Sequence, residues 1–206
     1  MPKSFNEQER LIIKKSMIDI GASLMKTKSI KQITVEEITR KVNISKGAFY
    51  SFFNSREELF WNIIKLEEQQ LIDEIVAIGK QDCDAKTKIR RIFNDVFLRN
   101  SWLIYYLSES DIQYIARKLP VELLEADRGR SYDMNKSILS LCHLEDSQEN
   151  IDFLITTIQM LRMTETNPIQ QTEKNKKRIQ CILIETIVDY LCGEKTFENY
   201  NIEKKI

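Results

Sequence analysis

Apolar residues recur along the first quarter of the chain at helical steps. From Asn6 to about Lys26, Ile13, Met17, Ile20, Gly21 and Leu24 share one face of a helix. Gly21 lies inside that face, where the missing side chain lets another helix cross closely. Two start signals fit the capping-box spacing, Ser4 with Glu7 and Asn6 with Glu9. A second helix opens at Thr34, with Glu37 placed to reach back and Val35, Ile38 and Val42 facing inward. A third, short helix runs from Lys46 to about Phe53 behind Ser45. A fourth begins at Ser55, where S-R-E-E repeats the box, and carries Phe60, Ile64, Leu71, Ile75 and Ile78 to Gly79. The three residues between the second and third helices are the turn of a helix-turn-helix. So small a unit has little core, which explains the aromatic density at Phe49, Phe52 and Phe53.

The remainder carries helical periodicity and no strand signal. Segments are expected near 84–99, 101–107, 110–118, 120–142, 148–163 and 168–192. Pro120 and Pro168 suit first turns, with Asn167 a good N-cap and Gly193 a stop. Ile151, Leu154, Ile155, Ile158 and Leu161 form one stripe, with Phe153, Met160 and Met163 on other faces. In the last helix Ile179, Leu183, Ile187 and Leu191 form an unbroken line, widened by Ile184, Val188, Ile182 and Tyr190. Apolar residues on more than one face mean cover on two sides. The outer cover is either a second copy of the chain, in an isologous four-helix contact, or the rest of the same subunit. The dimer candidates are Ile151, Ile155, Ile158, Ile179, Leu183, Ile187 and Tyr190. The expected fold is all-α, with a three-helix helix-turn-helix domain over residues 1–55 and a larger helical domain over 56–206.

Composition narrows this. With 206 residues the chain allows one large domain, or a small one joined to a larger. Five glycines and three prolines favour long helices over a turn-rich β architecture. No apolar run approaches the roughly 18–20 residues of a membrane span. MPKSFNEQERL has no apolar signal region, so a cytoplasmic protein is expected. The four cysteines show no C-x-x-C spacing, and His143 is the single histidine. Neither a metal site nor a cofactor is expected, and catalysis would have to run through His143. An enzyme is therefore the weakest class. Residues 1–56 hold 11 Lys and Arg against 5 Asp and Glu, on a chain of net charge zero. A basic head on an acidic body suits a polyanion partner; a solvated basic face accounts for it as well.

The short third helix suits a DNA major groove. Its first residues would point at base edges while the preceding helix braces it. Lys46 can donate to guanine or phosphate, Gly47 lets the backbone approach, and Ala48 can touch a thymine methyl. Ser45 has no glutamate three residues on, which leaves amides for a phosphate. Tyr50 can extend its hydroxyl to the DNA backbone while Phe49 faces inward. Arg56 opposes the dipole of the fourth helix, which a nearby phosphate would explain; a solvent-exposed arginine is the plain alternative.

The stretch Ile44-Ser45-Lys46-Gly47-Ala48-Phe49-Tyr50-Ser51-Phe52-Phe53-Asn54-Ser55-Arg56-Glu57-Glu58-Leu59 resembles the TetR family of transcriptional regulators, with its threonine-started helix and V-S-K-G-x-L-Y-x-x-F-x-S-K-E-E-L. The match covers about 45 residues including the first helix. The resemblance implies a homodimeric repressor that binds double-stranded operator DNA and responds to a small-molecule effector. It puts Thr34, Ser45, Lys46, Gly47, Ala48, Tyr50, Ser51 and Arg56 on the DNA face. Ser29 replaces a common loop glycine and would be strained at positive φ. Ala48, Ser51 and Phe52 replace a frequent threonine, tyrosine and histidine, so no operator carries over. Candidate pocket residues are Phe97, Trp102, Tyr105, Tyr106 and Tyr114, large rings in the middle helices; ordinary core is the alternative for each. A protein-interaction module that has kept the helix-turn-helix without DNA affinity is the second reading of the whole chain.

Overall fold

In the computed structural model, which describes residues 5–98, 107–125, 130–166 and 172–193, Asn6 opens the first helix. Its side chain accepts from the Glu9 amide (2.8 Å) and its amide donates to the Glu9 carboxylate (2.9 Å), so the second of the two expected capping boxes forms. Helix α1 spans Glu7–Met25, α2 Val35–Val42, α3 Lys46–Phe49 and α4 Arg56–Gly79. Then follow α5 (Ala85–Arg91), α6 (Glu109–Ala116), α7 (Val121–Glu125), α8 (Arg130–Leu141), α9 (Gln148–Thr166) and α10 (Glu173–Cys192). The fold is all-α, and no strand occurs among the described residues.

Several boundaries differ from expectation, each for a local reason. Thr34 accepts from the Glu37 amide (3.1 Å), but the Glu37 carboxylate turns to Lys28 (2.6 Å) instead of closing the box. Ser55 accepts from the Glu58 amide (3.0 Å), while the Glu58 side chain reaches one residue further back, to the Asn54 amide (2.9 Å). Helix α3 stops at Phe49 rather than Phe53, continuing only as turns. The last helix starts at Glu173 rather than 168, because Thr172 caps it by accepting from the Asn175 amide (3.3 Å). Asn167 and Pro168 lie outside the described residues. Pro120 stands just before α7 and accepts from the Leu123 amide (3.2 Å). Ser29 has φ −57°, so replacing a glycine there costs no strain.

The chain divides into two compact units. The first comprises Met1–Gln70 with Trp102–Arg128. Its core gathers Met17, Leu24 and Met25 of α1, Ile38 of α2, Phe49, Phe53, and Leu59, Phe60 and Ile63 of α4, with Leu107, Ile115 and Leu119. Gly21 is where α1 and α4 cross: a Cβ there would lie 2.6 Å from Ile63 Cδ1. Asn43 takes the left-handed conformation (φ 60°), and the Ile44 amide bonds to the Thr39 carbonyl (3.0 Å), which turns the chain from α2 toward α3.

The second unit comprises Leu71–Ser101 and Gly129–Ile206. Its core uses Ile75 and Ile78 of α4, Ile89 of α5, Ile138 and Leu139 of α8, Ile151 and Leu154 of α9, and Ile184, Ile187 and Val188 of α10. Helix α5 runs on into a π turn, Ile92–Phe97, closed by the Leu98 amide on the Phe93 carbonyl (2.9 Å). Arg90 grips Glu185 of α10 with two hydrogen bonds (2.8 and 2.7 Å). His143 takes φ 57° after α8, with the Leu144 amide on the Leu139 carbonyl (2.9 Å), so its observed part is in a turn. Burial pushes the Cys142 thiol up to about 12, which leaves it protonated at neutral pH.

Candidate nucleic-acid interface

Helix α3 is anchored from one side only. Phe49 is fully buried, its ring 5.9 Å from Phe53 and edge-on to Tyr50 at 5.3 Å and 86°. Lys46, Gly47, Tyr50 and Ser51 are exposed, and Ala48 is half-buried. Ser45 accepts from the Ala48 amide (3.1 Å), so this end is capped by a single hydroxyl. The first intrahelical bond runs from the Phe49 amide to the Ser45 carbonyl (3.2 Å), which leaves the Lys46 and Gly47 amides ahead of the ladder. Gly47 is required by nothing inside the protein. A Cβ there would meet only Ser45 Oγ, at 3.9 Å, and its φ is not positive.

Beside α3 lies an open hollow of about 370 Å³, lined by residues that include Thr34, Glu36, Lys46, Tyr50, Asn54 and Ser55. Lys46 Nζ donates to Glu36 Oε1 across it, both side chains being more than half exposed. That hydrogen bond holds the Glu36 carboxyl below its usual range and raises the Lys46 ammonium above its own. Arg10 stacks on Phe52 (4.5 Å to the ring centroid) and donates to the Ser51 carbonyl (3.0 Å), tying the turn after α3 back to α1. The Ser51 hydroxyl also turns inward, donating to the Ala48 carbonyl (2.7 Å).

This helix-turn-helix lies within residues 18–62, which match the family described as bacterial regulatory proteins, tetR family. Over these residues the chain is similar to that family. An uncharacterized HTH-type transcriptional regulator of Bacillus subtilis (strain 168), YuxN, is 25% identical over 112 residues, 52% of this chain and 37% of that protein. A second from the same organism, YwcC, is 28% identical over 110 residues, 51% of this chain and 48% of that protein. The chain thus spans less than half the length of these two relatives. Similarity of fold reaches further. The crystal structure of the transcriptional regulator FadR from Bacillus subtilis in complex with stearoyl-CoA has a TM-score of 0.59 at 17% identity, covering 84% of this chain and 97% of that one.

Within this head, Arg56 also lines the hollow and is held by internal acceptors. Its guanidinium donates to the Ile33 carbonyl, to Glu57 (2.8 Å) and to the Tyr114 hydroxyl (2.8 Å), with 17% of the side chain exposed. Through these three acceptors Arg56 braces the start of α4. Glu57 shows the consequence. Burial works to raise its pKa, but the hydrogen bonds from Arg56 and Tyr114 prevail and hold it low. Tyr114, one of the expected pocket residues, joins the same cluster by donating to Glu57 (3.1 Å).

Of the other pocket candidates, Phe97 is buried in the π turn with its ring 5.2 Å from Phe93. Trp102, Tyr105 and Tyr106 lie outside the described residues. On the late helices, Ile151 and Ile187 are fully buried within the chain, which removes them from an outer contact face. Ile155, Ile158, Leu183 and Tyr190 are half-buried, Tyr190 stacking on Phe153 at 3.8 Å. The exposed apolar residues are Met160, Met163, Ile179 and Ile182. Sequence reasoning passed over Arg10, Glu36 and Asn54, because their partners are distant in sequence or belong to other helices.

Proposed function

We propose that the chain is a ligand-responsive transcriptional repressor that binds an inverted-repeat operator as a homodimer and is released by a small molecule. The observation that carries this reading is Gly47: the protomer's own packing gives no reason for its missing side chain, whereas a duplex pressed against α3 does. Lys46 and Tyr50 flank it in the open beside the half-buried Ala48, and Thr34, Ser45, Asn54 and the nearby amides suit phosphates. Lys46 and Ala48 read base edges, Tyr50 steadies the backbone, and Phe49 holds the helix at its depth.

The dimer is an isologous pairing of α9 and α10. Ile155, Ile158, Ile179 and Leu183 form its centre, with Met160, Met163 and Ile182 closing around them; this apolar surface is supported by its exposure in the single chain. The effector binds in the second unit near the π turn, where Phe97 offers a large ring; π turns recur at functional sites. Helix α4 leads from the head into the second unit. A ligand that prefers one arrangement of α4 shifts the spacing of the two recognition helices from the roughly 34–36 Å that a duplex needs. Its effect is bounded by its differential affinity for the two arrangements.

Titrating the full-length chain with duplexes selected from random sequence, at two salt concentrations, tests the reading. Affinity for an inverted repeat, falling steeply with salt, is expected. Weak binding indifferent to sequence would overturn it in favour of a protein-interaction module. Stearoyl-CoA is a first effector probe, since FadR of similar fold is seen with it.

A further inference from the structure

Two carboxylates line the hollow described above: Glu57 is held by Arg56 and Tyr114, and Glu36 is the exposed one. Glu36, in the first turn of α2, lines the same hollow as Thr34, Lys46, Tyr50 and Ser55. The fold does not need it there. Its side chain is 62% exposed, and the helix start already has the carboxylate of Glu37, which pairs with Lys28. An exposed ion pair adds little to stability. A carboxylate among phosphate-facing groups opposes DNA, yet it sits 2.5 Å from the lysine best placed to meet DNA.

We infer that Glu36 is an internal stand-in for phosphate, holding Lys46 in the DNA-free protein and releasing it only to a duplex that docks fully on α3. The inference rests on the DNA-binding reading of this face. Two consequences follow from charge alone. On a non-cognate duplex, held by loose phosphate attraction, Lys46 has nothing to gain by leaving Glu36 and stays paired. The pair then carries no net charge to the duplex and releases no counterion. On a cognate duplex, Lys46 exchanges the carboxylate for a base edge or a defined phosphate. Glu36 therefore suppresses non-cognate binding more than cognate binding and acts as a specificity residue without touching a base.

The test is a double-mutant cycle of E36Q and K46A in the full-length protein. Each protein is titrated with a duplex it selects from random sequence and with a scrambled duplex of equal length and composition. E36Q should tighten the scrambled duplex about tenfold and the selected one about threefold or less, and steepen the scrambled-duplex salt slope by about 0.9. In the K46A background the same substitution still removes a charge that faces phosphates, but it should tighten both duplexes by the same factor. No gain from E36Q, equal gains on both duplexes, or an unequal gain that persists in the K46A background would each overturn the inference; the second would reduce Glu36 to general repulsion. Failure of the wild-type protein to prefer any duplex is a separate result. It would strike the proposed function, while the cycle on scrambled DNA would still report the Glu36–Lys46 exchange. Both positions are exposed, so all four proteins fold, which their melting curves check.

Discussion

Helix α3 and helix α10 leave their surpluses on opposite chemistries. On α3, one ring is buried and the outer face is left small and polar: Gly47 has open space where a side chain could stand. On α10, Ile184, Ile187 and Val188 satisfy the core, yet Ile179 and Ile182 stay 41% and 57% exposed. Each surplus is a residue choice that the protomer's own packing does not explain. The first would weaken an isolated helix, the second would weaken solubility, and both make sense against an outside partner. The contrast separates residues that build the fold from residues that face outward, and substitutions can test where that line runs.

The largest effect should come from the anchor of α3. Phe49→Ala removes a fully buried ring and should cost about 3–5 kcal/mol in chemical denaturation. A loss under about 1 kcal/mol would mean that α3 is not held as described. Next comes Arg56→Ala, which strands the Ile33 carbonyl and Glu57 and should cost about 2 kcal/mol. Lys46→Ala, by contrast, should leave the melting temperature unchanged and weaken DNA binding. If Arg56→Ala left stability intact and lowered only the salt slope, Arg56 would return to the phosphate-facing set.

Ile182→Glu should shift the chain from dimer to monomer in sedimentation equilibrium without unfolding it, because that side chain is outside the core. A dimer that survives it would move the interface off this face. Gly47→Ala should be the mildest for the fold, raising stability by up to about 0.5–1 kcal/mol because a Cβ fits and the unfolded chain loses freedom. Its DNA affinity should nonetheless fall. Glu57 adds a pH signature: hydrogen bonds from Arg56 and Tyr114 hold its pKa below the ordinary carboxylate value in the folded state, so its contribution is present above the unfolded pKa and is lost as pH falls through the folded one. The acid limb of the stability curve should flatten in Arg56→Ala.

Much of the head was legible in the sequence, because its signals are local. Thr34, Ser45 and Ser55 each cap the helix their spacing announced, and Gly21 marks the crossing of α1 and α4. The same signals misled wherever a long side chain had a choice of partner. Glu37 and Glu58 sit at capping-box positions, and both bonded elsewhere. Arg56 was read by its distance from the helix start, but Tyr114 is 58 positions away, and no spacing rule reaches that far.

On its own, the sequence determined that the chain is helical, where the helix-turn-helix lies, and which ring of the short helix turns inward. Periodicity and caps are properties of neighbouring residues, and they survive in any tertiary arrangement. The tertiary structure decided which apolar stripes were already covered, and so moved Ile151 and Ile187 into the core while leaving Ile179 and Ile182 outside. It also decided the partners of the charges, setting Arg56 to brace the protein and Lys46 against Glu36. A charged side chain has several possible counter-charges along a sequence, and only packing brings one of them within hydrogen-bond reach.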